Sequence, residues 1–418
     1  MIKVCVIGLG YVGLPILLRL STKYNCIGFD KNKKRIKDLK KGKDIFNEFQ
    51  KKDLKKKSVK FSNLIEDVMN SNIYIVTVPT PIYQNKKPDL SHLKDVCLNL
   101  SKIIKKDDII IFESTVYPGL TNDYCIPILE KSNKLKEGED FFVGYSPERV
   151  NPGDKNHDLK KINKILAYPY KFKKKDIVSI YTLISKKLVF SKNIKEAETA
   201  KVIENIQRDV NIALINELAL IFNQMGIDTN EVIDAAATKW NFNKLVPGLV
   251  GGHCIGVDPY YLTYKAQELG YQPNIILSSR QINNGMSKYI ANQTVKEMIK
   301  AGKAIKNSNI LILGLAFKED CPDIRNSKVV DIINELKNCG ANINIYDPWV
   351  NLNQESELYS NFLTNNPLDS DKRYDAIVVA VAHKQFKSYN SKNYKKMLDG
   401  DGVIIDIKNI VDNPTWRL

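Results

Sequence analysis

The feature that most constrains this chain is a glycine-rich segment between an apolar run and a helical pattern. The run KVCVIGLG is rich in β-branched residues, and the following VGLPILLRLSTKY repeats its apolar residues at helical spacing. The glycines of a G-x-G-x-x-G motif permit a tight turn, close approach of the main chain to a pyrophosphate, and close packing of helix on strand. This order predicts the first unit of a parallel α/β sheet that binds a dinucleotide.

The predicted dinucleotide site has an acidic residue at the end of the next strand. The motif glycines are Gly8, Gly10 and Gly13, and Asp30 ends the short strand CIGFD. The helix N-terminus offers N–H groups and partial positive charge to the phosphates. The Asp30 carboxylate can bond ribose hydroxyls and would repel a 2′-phosphate, which favours NAD over NADP although Lys31 and Arg35 are close.

Short strand patterns recur at both ends of the chain. The N-terminal part continues with IYIVTVP, IIIFEST and FFVGYSP, and the C-terminal part contains NILILGLAFK, INIYDP, AIVVAVAH and GVIIDIKN. Helical stretches separate these strands, as is typical of parallel, doubly wound sheets. The C-terminal group, with GLAF where a phosphate loop would lie, predicts a second, smaller nucleotide-binding domain.

A long helical pattern lies between the two groups of strands. It is EAETAKVIENIQRDVNIALINELALIFNQMG, without proline or internal glycine, and its last residue, Gly226, suits a C-cap. We therefore predict an α/β protein with two Rossmann-like doubly wound domains joined by a long central helix. The expected domains are an NAD-binding domain at 1–194, a helical dimerisation domain at 195–300 and a C-terminal α/β domain at 301–418.

Charge and cysteine usage exclude several classes of protein. The net charge is +16, but the lysines lie in runs without a nucleic-acid recognition motif, so we expect a solvated basic surface and no nucleic acid. The seven cysteines are scattered and the four histidines far apart, which indicates no metal site and a reducing cytoplasm. No apolar run approaches the roughly 18 residues of a membrane span, and a strand pattern in the first residues predicts no signal peptide.

One cysteine lies in the segment PGLVGGHCIGVDPYYL, between a glycine-rich turn and an aspartate. Beside a dinucleotide site, the Cys254 thiol could trap an aldehyde as a thiohemiacetal, which loses a hydride to give a thioester. A buried structural cysteine is an equally open interpretation from spacing alone. A cysteine–histidine protease dyad with His253 is disfavoured, because adjacent side chains usually point apart.

Seven segments together resemble the UDP-glucose/GDP-mannose dehydrogenase family over nearly the whole chain. They are VIGLGYVGLP, VPTP, ESTVYPG, YSPERVNPGD, AETAKVIENIQRDVNIALINELA, GLVGGHCIGVDPYYL and GLAFKEDCPDIRNSK, in the order of the family. Within the family, the chain is similar to the branch that oxidises UDP-N-acetylhexosamines for surface polysaccharides. The resemblance favours Cys254 as a nucleophile.

The resemblance implies oxidation of a primary alcohol, C6 of the sugar, to a carboxylate with two NAD molecules. Cys254 would form the thiohemiacetal and the thioester. Lys201 would stabilise oxyanions and assist proton transfer, and Asn205, on the same side of the helix at i, i+4, would bond the reacting oxygen or a water. Asp258 would work with a water as general base.

The resemblance assigns hydrolysis of the thioester to a water activated by Glu148, and Thr115 would position a water. From the residues alone, plainer interpretations stay open. Lys201 and Asn205 could be exposed helix residues, Asp258 before a proline could start a turn, and Glu148 could pair with Arg149 or another base.

The resemblance also implies sets of binding residues. The expected NAD contacts are Gly8, Gly10, Tyr11, Val12, Gly13, Asp30, Arg35, Thr80, Thr115 and Arg325. The expected substrate contacts are Glu148, Arg149, Lys201, Asn205, Gly248, Gly251, Arg280 and Lys318. The second α/β domain would hold the uridine diphosphate.

The predicted function is therefore a cytoplasmic, homodimeric NAD-dependent 6-dehydrogenase of UDP-N-acetylgalactosamine or UDP-N-acetylglucosamine. Alternatives are the same chemistry on UDP-glucose or UDP-N-acetylmannosamine, and a non-catalytic nucleotide-sugar sensor. Related dehydrogenases place an arginine that reaches the neighbouring subunit where this chain has Thr238. The residue that recognises the N-acetyl group is therefore left open by the sequence. The configuration at C4 of the sugar is also left open, because it depends on a few hydrogen bonds.

Overall fold

A computed structural model describes residues 2–45, 49–132, 134–149, 161–350, 359 and 361–418. The chain forms two compact units. The first comprises Met1–Glu204 and Tyr260–Gln272, and the second comprises Asn205–Pro259 and Pro273–Leu418. Among the described helices, none combines the length and the apolar character that a bilayer crossing requires.

The first unit is built on a six-stranded parallel sheet. Its strands are β1 (Lys3–Ile7), β2 (Asn25–Phe29), β3 (Val59–Ser62), β4 (Ile73–Val76), β5 (Ile109–Phe112) and β6 (Phe142–Tyr145). They lie in the order β3-β2-β1-β4-β5-β6, and β4 and β5 are buried along their whole length. The strand order reverses between β1 and β4, and in such sheets the ligand crevice lies at the carboxyl ends of these two strands.

Helices cover this sheet, and two further strands form a separate, small parallel pair. The helices are α1 (Gly13–Leu20), α2 (Lys33–Lys40), α3 (Lys51–Leu54), α4 (Ser91–Leu100), α5 (Ile126–Glu130) and α6 (Lys174–Ile184), and the pair is β7 (Lys164–Leu166) with β8 (Leu188–Phe190). Apolar residues of α1 and α6, such as Leu17 and Ile180, pack with Val6 and Ile75 of the sheet in one core. The predicted NAD-domain strands are thus confirmed, and the sheet order is that of a doubly wound fold.

The second unit contains a five-stranded parallel sheet in the order β10-β9-β11-β12-β13. Its strands are β9 (Asn309–Leu313), β10 (Asn342–Tyr346), β11 (Tyr374–Val379), β12 (Leu398–Asp406) and β13 (Trp416–Arg417). Here the order reverses between β9 and β11. The four strands predicted from the sequence are confirmed, and the two-residue strand β13 has no pattern long enough to be recognised.

The remaining helices include the predicted long one. They are α7 (Ile194–Met225), α8 (Thr229–Ala236), α9 (Asp258–Glu268), α10 (Asn274–Lys300), α11 (Val329–Asn338), and the short helices Lys384–Lys387 and Ser391–Met397. Helix α7 spans 32 residues and ends before Gly226, whose φ of +71° is the left-handed conformation of a C-cap glycine. The prediction of a long helix that ends at this glycine is confirmed.

Helix α10 is nearly as long, yet its sequence carries no clear apolar stripe. Many of its buried residues are polar: Ser279, Arg280, Asn283, Ser287, Gln293, Thr294 and Glu297. Hydrophobic periodicity detects a helix only when its inward face is apolar. Hydrophobic periodicity in the sequence therefore does not reveal a helix, such as α10, that buries hydrogen-bonded polar groups.

Part of this polar face binds α7 through a buried charge pair. Arg280 donates from Nη1 to Asp209 Oδ1 at 2.6 Å, and both side chains are almost fully buried. Asn283 donates to the same carboxylate oxygen at 2.7 Å and to the Asp209 carbonyl at 3.0 Å. Asn283 also accepts from the Asn216 amide at 2.8 Å, so the contact extends along α7.

We expect Asp209→Asn to destabilise the second unit strongly. The substitution keeps the shape of the side chain but leaves the buried Arg280 charge uncompensated, which costs about 3–5 kcal/mol. Thermal unfolding should show a clearly lowered Tm. Glu217→Gln, an exposed position on the same helix, is the matched control and should change stability by less than about 0.5 kcal/mol. Equal Tm values for the two variants would contradict this account.

Candidate active site

The glycine-rich turn between β1 and α1 is too crowded for side chains at two of its three glycines. Gly8 has φ +93°, and a Cβ there would lie 2.9 Å from the Thr77 carbonyl oxygen. A Cβ on Gly13 would lie 1.8 Å from the Gly8 carbonyl oxygen. A Cβ on Gly10 would meet no atom within 4 Å, so this glycine borders open space. A pyrophosphate that approaches the main chain needs such open space in front of the turn.

Asp30 fixes this turn from the neighbouring strand. Its Oδ2 accepts from the Leu9 N–H at 2.9 Å, and its Oδ1 accepts from the Asn32 N–H at 2.9 Å. The side chain is only half-buried, and a carboxylate has lone pairs for more than two donors. Asp30 can therefore hold the turn and still accept from ribose hydroxyls, so the residues present fit NAD.

Arg35 lies beneath the turn. Its Nε donates to the Leu9 carbonyl at 2.9 Å, and its Nη1 pairs with Asp44 at 2.9 Å, both side chains being nearly buried. These bonds make Arg35 a support of the turn. Direct contact between Arg35 and a cofactor stays a prediction.

The other expected cofactor residues lie in both units. Tyr11 and Val12 are half-buried in the turn, and Val12 is the N-cap of α1. Thr80 is half-buried after β4, and its carbonyl accepts from Tyr261 Oη at 3.0 Å. Thr115 is half-buried after β5. In the second unit, Arg325 donates from Nε and Nη2 to Asp323, the shortest distance being 2.6 Å.

The main chain of the segment PGLVGG is held by contacts with other parts of the second unit. The Asn216 amide of α7 accepts from the Gly248 N–H at 2.8 Å and donates to the Gly248 carbonyl at 3.0 Å. A Cβ on Gly251 would lie 2.7 Å from the Asn326 carbonyl, and one on Gly252, at φ +79°, would lie 2.8 Å from the Phe317 ring. Only glycine fits these two positions without movement of the neighbouring segment.

Cys254 follows this turn and begins the approach to α9. Its carbonyl accepts from the Asp258 N–H at 2.8 Å, and the buried Asp258 carboxylate accepts from the Asn205 amide of α7. Three predicted residues of the second unit, Cys254, Asp258 and Asn205, are therefore brought together. Lys201 is buried one helical turn before Asn205, so both side chains lie on one face of α7.

Cys254 differs from most other thiols of the chain because its side chain is partly exposed. Cys5, Cys26, Cys97, Cys125 and Cys321 are buried. Burial raises the pKa of the Cys26 thiol to about 12, and it raises the pKa of the fully buried Cys5 thiol even more. Buried thiols of this kind stay protonated and unreactive, whereas reactive cysteines sit in partly exposed positions.

Glu148 and Arg149 follow β6 in the first unit. Glu148 Oε1 accepts from the Arg149 N–H at 2.7 Å, and its Oε2 lies 3.5 Å from Lys164 Nζ. The Arg149 guanidinium pairs instead with Glu204, at 2.8 Å from Nη2. Among the described residues, Lys164 is thus a base that lies close to the Glu148 carboxylate. The residues of YSPERVNPGD from position 150 onward lie outside the described residues.

Arg280, expected near the substrate, is the buried partner of Asp209 described above, and it also donates to Asn284 at 2.6 Å. These contacts give it a structural role, and contact with a sugar or diphosphate stays a prediction. Lys318 is half-buried, with its Nζ 5.5 Å from the centroid of the Phe317 ring. In the described part of the chain, no group of three His, Cys, Asp or Glu residues could hold a metal.

A second glycine turn follows β9. As in the first turn, an aspartate from the adjacent strand accepts main-chain N–H groups of the turn, but here the aspartate also faces a buried histidine. Asp347, after β10, accepts from the Leu315 and Ala316 N–H groups at 2.7 and 2.9 Å. His383 Nδ1 accepts from the Asp320 N–H at 2.9 Å, so its Nε2 carries the proton and faces Asp347 at 3.2 Å. Burial would raise the pKa of Asp347, but the His383 bond and the N–H groups outweigh it and lower the pKa.

Sequence reasoning did not identify Asn216, Asp347 or His383. A signal existed for Asp347, because INIYDP ends a strand after a glycine turn in the same way as CIGFD. Asn216 and His383 have no such signal. Their partners are distant in sequence, by 32 and 63 residues.

Comparisons with known proteins cover nearly the whole chain. Three sequence profiles of the UDP-glucose/GDP-mannose dehydrogenase family match: the NAD binding domain at residues 2–185, the central domain at 195–285 and the UDP binding domain at 311–413. The UDP-N-acetyl-D-glucosamine 6-dehydrogenase of Pseudomonas aeruginosa is 48% identical over 98% of this chain and 97% of its own. The enzyme of that name from Salmonella typhi is 45% identical over 98% and 96%.

Solved structures agree with the fold. The structure of UDP-D-ManNAc dehydrogenase from Pyrococcus horikoshii has a TM-score of 0.88 and 31% identity, covering 100% of this chain and 98% of that one. A UDP-glucose dehydrogenase from Pyrobaculum islandicum has a TM-score of 0.86 at 21% identity. The latter likeness concerns the fold alone.

We expect Gly10→Ala and Gly13→Ala both to weaken NAD binding, but only Gly13→Ala to lower the stability of the unit. Gly10→Ala adds a methyl group to open space, so Tm should be unchanged while the Kd for NAD rises at least about tenfold, about 1.4 kcal/mol. Gly13→Ala must displace the Gly8 carbonyl, so it should weaken NAD binding and also destabilise the unit by about 1–3 kcal/mol. Titration calorimetry and thermal unfolding measure both effects. Normal NAD affinity in Gly10→Ala would place the pyrophosphate elsewhere.

Proposed function

The chain belongs to the UDP-glucose/GDP-mannose dehydrogenase family, and we propose that it oxidises C6 of UDP-N-acetylglucosamine to the carboxylate. It is an NAD-dependent UDP-sugar 6-dehydrogenase. The observation that carries the choice of substrate is the 45–48% identity, over nearly the full length, to two enzymes named for UDP-N-acetyl-D-glucosamine. UDP-N-acetylgalactosamine, which differs only at C4, is the other candidate of this class.

The thiol segment supports a reaction that passes beyond the aldehyde. Once C6 is an aldehyde, Cys254 Sγ adds to its carbon, and the carbonyl oxygen becomes the hydroxyl of a thiohemiacetal. Asn205, bonded to Asp258, can donate to the oxygen at C6, and Lys201 can stabilise its negative charge. Asp258, acting through a water, removes the hydroxyl protons in the two oxidations. NAD, when bound, accepts a hydride in each of them.

Hydrolysis completes the reaction. A water attacks the carbonyl carbon of the thioester while Glu148 takes its proton, and the bond from carbon to Cys254 Sγ breaks. The products are the uronic acid and the regenerated thiol. Thr115 would position a water for this chemistry. Asp30 and the glycine turn hold the cofactor, and the second unit, which the UDP binding profile covers, holds the uridine diphosphate.

The wider setting is part of the proposal. We expect the uronic acid to feed surface-polysaccharide synthesis. The reducing cytoplasm suits a catalytic thiol and the five buried thiols alike.

The stoichiometry of NADH tests the proposed function. Wild-type protein with NAD and limiting UDP-N-acetylglucosamine should form two NADH per sugar, since two hydrides leave C6. Cys254→Ala should remove the thioester and abolish uronic acid formation while UDP binding, measured by calorimetry, is kept. UDP-N-acetylgalactosamine, UDP-glucose and UDP-N-acetylmannosamine complete the panel.

Each contrary outcome has a definite meaning. Turnover with UDP-glucose alone, or with UDP-N-acetylmannosamine alone, would retain the chemistry and overturn the substrate. Binding of UDP-sugars without NADH from any of them would identify a nucleotide-sugar sensor. Uronic acid formation by Cys254→Ala would refute the covalent route.

We also expect a homodimer that forms through α7. The helix exposes Ile203, Leu214, Ile221 and Met225, whose spacings place them within about 40° of one another around the helix axis. An exposed apolar stripe of this kind on a charged protein favours association with a complementary surface. In a dimer of two-fold symmetry the same stripe serves both subunits.

The double variant Leu214→Glu/Ile221→Lys should shift the protein from dimer to monomer. It places charges in an apolar contact, where they would be desolvated. Light scattering coupled to gel filtration measures the mass. Arg208→Gln is the control, because Arg208 is exposed on the same helix but lies about 140° from Ile203 around its axis. A dimer that survives both substitutions would exclude this face of α7.

A further inference from the structure

A buried lysine and a buried glutamate lie beside Glu148 in the first unit. Lys164 Nζ is 2.7 Å from Glu113 Oε2 and 3.5 Å from Glu148 Oε2. The side chain of Glu113 is fully buried and that of Lys164 is 5% exposed. The steps of the proposed reaction use Glu148 and leave both other groups without a role.

The sheet brings these three side chains together. Glu113 directly follows β5, Glu148 follows β6 by three residues, and Lys164 begins β7. The Glu113 N–H donates to the Val76 carbonyl at 2.8 Å, which fixes its position at the carboxyl end of the sheet. Carboxyl ends of strands are where parallel sheets place their ligands, so the group lies at the functional edge of the unit.

Three oxygen atoms lie near the Lys164 ammonium. Lys164 Nζ donates to Glu113 at 2.7 Å and to the Pro147 carbonyl at 3.2 Å, and it forms an ion pair with Glu148 Oε2 at 3.5 Å. The lysine therefore contacts both the side chain of Glu148 and the main chain that carries it. Such a contact restrains the direction of the Glu148 carboxylate.

Glu113 in turn restrains the lysine. Its second oxygen accepts from Tyr181 Oη of α6 at 2.8 Å, so each oxygen has a partner. Burial raises the pKa of Glu113 to about 7 although the Lys164 charge opposes this. Burial would lower the pKa of Lys164, but the attraction of Glu113 and Glu148 outweighs it and raises the pKa. The ammonium thus stays charged between two carboxyl groups.

We propose that Lys164 is a positioning residue for thioester hydrolysis, and that Glu113 and Tyr181 hold it in place for this task. The inference rests on the proposed function, in which Glu148 accepts a proton from the attacking water. Lys164 forms an ion pair with Glu148 Oε2 at 3.5 Å, and this contact restrains the direction in which the carboxylate meets the water. Because the Lys164 side chain is almost fully buried, it acts on hydrolysis through Glu148 and leaves both oxidations intact.

The decisive experiment separates oxidation from hydrolysis in Lys164→Met. The enzyme, excess NAD and one equivalent of UDP-N-acetylglucosamine are mixed, quenched and examined by intact-protein mass spectrometry. NADH should form in a burst of about two per subunit at the wild-type rate, and the thioester on Cys254 should accumulate. Steady-state turnover should fall about 10²-fold, the cost of a misplaced catalytic group. The KM for UDP-sugar should fall with it, because the oxidations that precede the trapped thioester keep their rate and kcat/KM is unchanged.

Four further variants sharpen the result. Lys164→Met/Glu113→Gln removes both buried charges and guards against a folding defect from an unpaired Glu113, so it should also trap the thioester. Lys187→Met, at an exposed lysine that precedes β8, is the matched control and should hydrolyse normally. Glu148→Gln should trap the thioester, and adding Lys164→Met to it should slow hydrolysis no further, because both act on one step.

Two results would overturn the proposal. One is wild-type hydrolysis in folded Lys164→Met or in the double variant. The other is an equal loss of oxidation and hydrolysis without any covalent adduct, which would make Lys164 a structural residue only. If wild-type protein and Glu148→Gln form no NADH with any UDP-sugar, the proposed function itself fails, and that outcome is recognised without the Lys164 variants.

Discussion

Both sheets of this protein depend on a turn in which the main chain lies too close to its neighbours to admit a side chain. Gly8 follows β1 at φ +93°, and Gly314 follows β9 at φ +98°. A Cβ would lie 2.9 Å from the Thr77 carbonyl in the first turn and 2.5 Å from the Val381 Cβ in the second. Each turn lies where the strand order reverses, which is where doubly wound sheets bind their ligands.

A carboxylate from the adjacent strand fixes each turn, and the two carboxylates then differ in what they can still do. Asp30 is half-buried and has one main-chain donor on each oxygen, so lone pairs remain for a ribose. Asp347 Oδ2 accepts two N–H groups and faces the buried His383, while its Oδ1 accepts from the Trp349 N–H. The second turn is thereby closed to the ribose contact that the first one offers. This difference gives a physical reason why related sheets hold different nucleotides.

Sequence patterns predicted the parts of the fold whose buried surface is apolar. Strands β1, β4 and β5, the turn at Gly8 and the end of α7 at Gly226 were all predictable, because periodicity and glycine chemistry are local. Helix α10 was not, since polar residues such as Arg280 and Asn283 occupy its inward face. Of the site, Cys254 and Asp258 could be named from the resemblance. Asn205, which bonds Asp258, could be named in the same way. The contact of Asn216 with Gly248 could not, because the two residues are joined only by folding.

The buried polar contacts between α7 and α10 add little stability, because desolvation of the buried groups offsets their attraction. Their geometry explains why the chain keeps them. An apolar pair in place of Asp209 and Arg280 would often be as stable or more so. Apolar packing, however, would not hold Asn283 at the Asn216 amide, and Asn216 is the residue that bonds both main-chain groups of Gly248. The glycine turn that starts at Gly248 leads to Cys254. The hydrogen bonds from Asn283 of α10 to Asn216 of α7, and from Asn216 to Gly248, therefore determine where the segment that carries Cys254 begins. Apolar contacts are non-directional and could not fix this position.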